Sequence, residues 1–94
     1  SAQKAAELNP KDAENWALIG MITFKLRRYQ QAIAAYDRCL SLDKRSAEAY
    51  LNRGEAKRVL NDAKGACKDW QQVLKLDTAS LARKAQNWMD INCE

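Results

Sequence analysis

Apolar residues recur at three- and four-residue steps along most of this chain. Ala32, Ile33, Tyr36 and Leu40, with Cys39 beside them, keep the i, i+3, i+4, i+7 spacing that gathers side chains on one face of a helix. Ala66, Cys67, Trp70, Val73 and Leu74 repeat it. One proline and three glycines leave few turns to spend on hairpins, and the abundant Ala, Leu, Lys, Glu, Gln and Arg are good helix formers. The pattern predicts helices over 13–26, 29–42, 47–60, 63–76 and 81–92, with turns at Arg27-Arg28 and Asn61-Asp62. Asn61 suits the left-handed conformation that often ends a helix, and Arg27 is less comfortable there.

The helices come in a period. Aligning residues 13–46 with 47–80 gives nine identities in 34 positions, among them Gly20/Gly54, Leu26/Leu60, Ala32/Ala66, Leu40/Leu74 and Leu42/Leu76. Aromatics pair as Trp16/Tyr50 and Tyr36/Trp70. Small residues and leucines at fixed places set how closely two helices approach, so the period implies stacked helix pairs. Asp12, Ser46 and Ser80 fall at the same interval, and each is a good N-cap type. Glu14 and Glu48 follow where the helix dipole favours negative charge. Counting back one period puts Ala5, Ala6 and Leu8 at the places of Cys39, Leu40 and Leu42. Residues 1–8 therefore read as the end of a second helix whose first helix is missing, which points to a chain excised from a longer array.

These residues resemble the tetratricopeptide repeat. The first repeat carries Trp16, Ile19-Gly20, Ala32, Tyr36, Cys39 and Leu42-Asp43, and the second Tyr50, Arg53-Gly54, Ala66, Trp70, Val73 and Leu76-Asp77. Leu8-Asn9-Pro10 supplies the proline that closes a repeat. The departures are Thr23 and Lys57 for an aromatic, Cys39 and Val73 for Ala, Lys44 and Thr78 for Pro, and Arg53 for Leu. The resemblance implies an all-α fold, a right-handed α-solenoid of antiparallel helix pairs in one domain over 1–94. Its parts would be the tail of a preceding repeat (1–10), repeats at 13–46 and 47–80, and a capping helix at 81–94. That cap presents Leu81, Ala85, Trp88 and Met89 on one side, with Trp88 where a small residue is usual.

Composition narrows the chemistry. The chain has no histidine, which removes imidazole bases, Ser-His and Cys-His pairs and His-liganded zinc. No Gly-rich phosphate loop or paired carboxylates in an apolar setting stand out, so no enzyme, metal or cofactor is expected. Cys39, Cys67 and Cys93 are odd in number and far apart. They read as two small buried hydrophobes and an exposed, oxidisable Cys93, not as a disulfide framework. No apolar run is long enough to cross a membrane, and Ser1-Ala2-Gln3-Lys4 lacks the apolar core of a signal peptide.

The resemblance also implies a site. In the family a concave face, lined mainly by the first helix of each repeat, holds a peptide or a partner helix. Its positions fall here on Glu14, Ala17, Leu18, Met21, Phe24 and Lys25, and on Glu48, Leu51, Asn52, Glu55, Arg58 and Val59. Apolar residues beside Lys25 and Arg58 suit a partner with apolar anchors and some acidic groups. The family's clamp for an acidic heat-shock-protein terminus needs a Lys and an Asn on one first helix, an Asn on the next, and a Lys with an Arg on a third; here Ala17, Met21, Asn52, Ala82 and Gln86 stand there, and Asn52 alone fits. Two alternatives compete. Arg53, Lys57 and Arg58, with the turn residues Arg27-Arg28 and Lys44-Arg45, form a basic series of the kind that tracks RNA, though Glu48 and Glu55 interrupt it. The apolar ends of a short array also suit a homodimer through the N-terminal face.

Overall fold

The computed structural model describes residues 10–76 and 79–93. Five helices occupy them: α1 (Pro10–Lys25), α2 (Tyr29–Leu42), α3 (Ala47–Val59), α4 (Ala63–Lys75) and α5 (Ala79–Asn92). Each packs mainly on its neighbours in the chain, as α1 on α2, α2 on α3, α3 on α4 and α4 on α5. This nearest-neighbour stacking is that of an all-α helical solenoid. No helix among the described residues is long and apolar enough to cross a membrane. The tail of a preceding repeat expected at 1–8 lies outside the described residues.

The helix ends show which local signals act. Arg27 and Asn61 both take positive φ, at 62° and 68°. Behind each, the chain closes the same motif: Arg28 N–H donates to Thr23 C=O and Asp62 N–H to Lys57 C=O, both at 2.8 Å. These bonds satisfy carbonyls that the last helical turn leaves open. Of the three expected caps, Ser46 acts as one, its hydroxyl accepting from Ala49 N–H at 3.3 Å. Asp12 does not, because α1 begins two residues earlier at Pro10, whose missing N–H costs nothing in a first turn. Ser80 is likewise already inside α5. Asp62 takes up the role for α4, accepting from Gly65 N–H at 3.0 Å.

Two core clusters meet at Tyr50. One gathers Ala13, Ala32, Tyr36, Cys39, Leu40 and Ala49, and the other Ala47, Leu51, Ala66, Trp70, Val73 and Ala85. The glycines explain the fit. A Cβ on Gly20 would lie 2.7 Å from the Tyr36 ring, and one on Gly54 would lie 2.5 Å from Trp70 Nε1. That indole N–H donates to Leu51 C=O at 3.2 Å, so the ring is both wedged and tethered. Leu81, Trp88 and Met89 of α5 pack on the second cluster, with Trp88 tilted 5.5 Å from Trp70.

The cysteine expectation needs correction. Cys39 is a buried free thiol, but Cys67 and Cys93 form a disulfide, with Cα atoms 6.1 Å apart. Their 26-residue separation hides the pairing in the sequence. The antiparallel α4–α5 hairpin returns the end of α5 to the start of α4, and so brings them together.

Two stability predictions follow from this packing. Gly54→Ala should destabilise by about 1–3 kcal/mol through overpacking against Trp70. At an open helical site the same change stabilises by about 1 kcal/mol, so the sign in a urea titration decides. Cys93→Ser should cost about 3 kcal/mol by releasing the closed loop. Adding Cys67→Ser to it should cost little more in the same titration.

Candidate functional site

The first helix of each pair, α1 and α3, turns part of its surface away from the core, and α2 lies behind them. Two cavities open here. The smaller, about 160 Å³, is lined by Met21, Phe24, Lys25, Tyr36, Asn52 and Glu55. The larger, about 460 Å³, is lined by Ala13, Glu14, Ala17, Leu18, Met21, Cys39, Asp43, Ser46 and Glu48. Met21 lines both, so the two cavities adjoin at that side chain on α1, and together they make up a trough. Phe24 is held edge-on against Tyr29, with ring centroids 5.1 Å apart.

The trough contains Glu14, Ala17, Leu18, Met21, Phe24, Lys25, Glu48, Asn52 and Glu55 from the expected set. Leu51 is not among them: it is 2% exposed and belongs to the core, where its carbonyl holds Trp70. Arg58 and Val59 line neither cavity. Sequence reasoning missed Ala13 and the floor, namely Tyr36, Cys39, Asp43 and Ser46. Signals were available, since Tyr36 is one of the recurring aromatics and Ala13, Asp43 and Ser46 are among the nine identities.

Burial and charge act together on the floor. Burial pushes the Tyr36 phenol up to about 12; a hydrogen bond with Asn52 opposes the rise, and the negative charges of Glu48 and Glu55 add to it. Burial also pushes the Cys39 thiol up, against a hydrogen bond with Ser46 and with help from Asp43 and Glu48. A thiol raised in this way is inert, because the thiolate is the nucleophile. Among the described residues no group of three His, Cys, Asp or Glu side chains is placed to hold a metal.

Two cations of the basic series on α3, Arg53 and Lys57, are engaged by a buried carboxylate. Arg53 donates from Nε and Nη2 to both oxygens of Asp69, at 2.9 and 2.7 Å, and from Nη1 to Asp37 at 2.7 Å. Its guanidinium also lies 5.5 Å over the Tyr50 ring. Lys57 reaches the same buried Asp69 at 3.2 Å, and Arg58 lies 3.9 Å from Glu55. Burial alone would make the Arg53 cation easier to deprotonate. The hydrogen bonds and charges of Asp69 and Asp37 outweigh it and hold Arg53 above the ordinary arginine value. Arg53 and Lys57 are therefore matched within the fold, while Arg58 keeps a 42% exposed side chain. Arg27 and Arg28 line a separate cavity at the α1–α2 turn with Tyr29 and Leu60. A second apolar surface runs along α1, where Ile19, Ile22 and Leu26 are 43%, 57% and 60% exposed.

Stacked helix pairs, ring-on-glycine contacts and a trough between first helices define a helical-repeat protein. The chain belongs to the tetratricopeptide repeat family, whose TPR repeat model matches residues 20–57. It is 38% identical over 74 residues to Hsc70-interacting protein 1 of Drosophila melanogaster, covering 79% of this chain and 20% of that protein. It is 35% identical over 85 residues to human peptidyl-prolyl cis-trans isomerase FKBP4, covering 90% and 18%. It is 32% identical over 71 residues to anaphase-promoting complex subunit 3 of Schizosaccharomyces pombe, covering 76% and 11%. The chain thus spans a fifth or less of the length of these relatives. Repeats of this family generally mediate protein–protein interaction.

The Arg53 network yields a prediction. Arg53→Met should cost about 3 kcal/mol, because Asp69 is left buried with Lys57 as its remaining partner. Adding Asp69→Leu should recover much of the loss, as measured by a denaturant double-mutant cycle.

Proposed function

We infer that this chain is a non-enzymatic protein-binding module, and that the trough between α1 and α3 receives a peptide or helix of its partner. The observation that carries this reading is the pair of adjoining cavities that share Met21. Adjoining cavities lined by side chains from neighbouring repeats suit an elongated ligand, and their apolar residues suit anchoring side chains. The relatives fit this reading: one is named for interacting with Hsc70, another as a subunit of a complex. The partner is not an acidic heat-shock-protein terminus held by the family's usual clamp. Of the clamp positions Ala17, Met21, Asn52, Ala82 and Gln86, Asn52 alone has the required side chain.

Affinity capture with the immobilised chain tests the site. Met21→Glu, which puts a charge at the junction of the cavities, should reduce recovery of bound proteins about tenfold, the effect of one buried mismatched charge. Ile22→Lys, on the other exposed stripe of α1, should leave recovery unchanged. The opposite pattern would move the binding surface to the end of the stack.

A further inference from the structure

The charges along the trough specify its ligand further, on the reading that the trough is the binding site. Glu14, Asp43 and Glu48 line the larger cavity, and Glu55 lines the smaller. Lys25 is the cation among these lining residues. Arg58, expected to attract acidic groups, lies outside the lining and faces Glu55 at 3.9 Å. Lys44 and Arg45 follow Asp43 in the turn but line neither cavity. The chain as a whole carries +4, so the trough opposes the overall charge and does not merely reflect it.

Three further observations support this polarity. No salt bridge among the described residues engages Glu14, Asp43 or Glu48. Asp43 accepts from the Arg45 backbone N–H at 3.1 Å, a bond that leaves its charge in place. On the floor, the negative charge of Glu48 adds to the upward push on Tyr36, which lines the smaller cavity, and on Cys39, which lines the larger.

The acidic and apolar ends have a definite spacing. Glu14 and Met21 are two helical turns apart, about 10 Å along α1, a span that about three extended residues cover. We propose that the trough takes a basic peptide. An apolar side chain sits over Met21 and Phe24, and a Lys or Arg three or four residues away lies among Glu14, Asp43 and Glu48. The acidic partner groups expected from the sequence are replaced by basic ones.

The test is an amide NMR titration of the labelled chain with three peptides. They share the frame acetyl-Gly-Leu-Ala-Ala-X-X-Gly-amide, with X as Lys, Ser or Glu. At low salt the Lys peptide should bind about tenfold tighter than the Glu peptide, and about 0.5 M salt should shrink the difference. Its shifts should fall on Glu14, Met21 and Glu48. The double variant Glu14→Gln, Glu48→Gln should weaken the Lys peptide about fivefold and leave the Ser peptide unchanged, with an otherwise native spectrum. If the Ser peptide binds in the trough and the Lys peptide binds no tighter, the basic-ligand proposal fails while the trough remains the site. Tighter binding of the Glu peptide overturns the proposal in the same way. If none of the three perturbs the trough, both readings fall.

Discussion

The fold depends on the contact between an aromatic ring and a glycine. Tyr36 lies over Gly20 and Trp70 over Gly54, at separations where even one methyl group has no room. These contacts fix the distance between the helices of each pair. The pairs in turn fix where α3 stands relative to α1, and so the width of the trough. Tyr36 serves twice, as the wedge of the first pair and as part of the trough floor. The core and the proposed binding trough therefore share a residue, and the shape of the trough is set by the core beneath it.

Electrostatics divides the molecule along a different line. The positive charge of α3 is paired, with buried Asp69 at the centre and Asp37 and Glu55 nearer the surface. The carboxylates of Glu14, Asp43 and Glu48 form no salt bridge among the described residues and line the trough. A count of charges along the sequence sees a basic protein, whereas the charged side chains that line the trough are mainly acidic. Arg53 is central to this division. It replaces the leucine common at its position, and the buried Asp69 opposite makes the substitution tenable.

Much of the fold was legible because helix packing is periodic. The 34-residue spacing located every helix to within a few residues, and the repeated Gly, Ala and aromatic positions named the packing contacts in advance. Caps were less legible. Asp12 looks as good as Ser46, but Pro10 starts α1 early and takes the position from it. The site was half legible. Residues on the first helices were found by register, while Asp43 and Ser46 lie at a connection and Cys39 on the second helix, where register to a groove on α1 gives no guide. The pairing of Arg58 with Glu55 and the burial of Leu51 are properties of packing, and no spacing in the chain displays them. The Cys67–Cys93 link is of the same kind, since the hairpin that joins the two must be built before they are neighbours.

That link has a mechanical consequence. Tension applied at the C-terminal end reaches Cys93 and passes through the sulfur bridge to Cys67, near the start of α4. Most of α4 and all of α5 lie inside the closed loop and carry no load. The chain can therefore extend only on the N-terminal side of Cys67, and its extensible length is shorter than its contour by the residues of that loop.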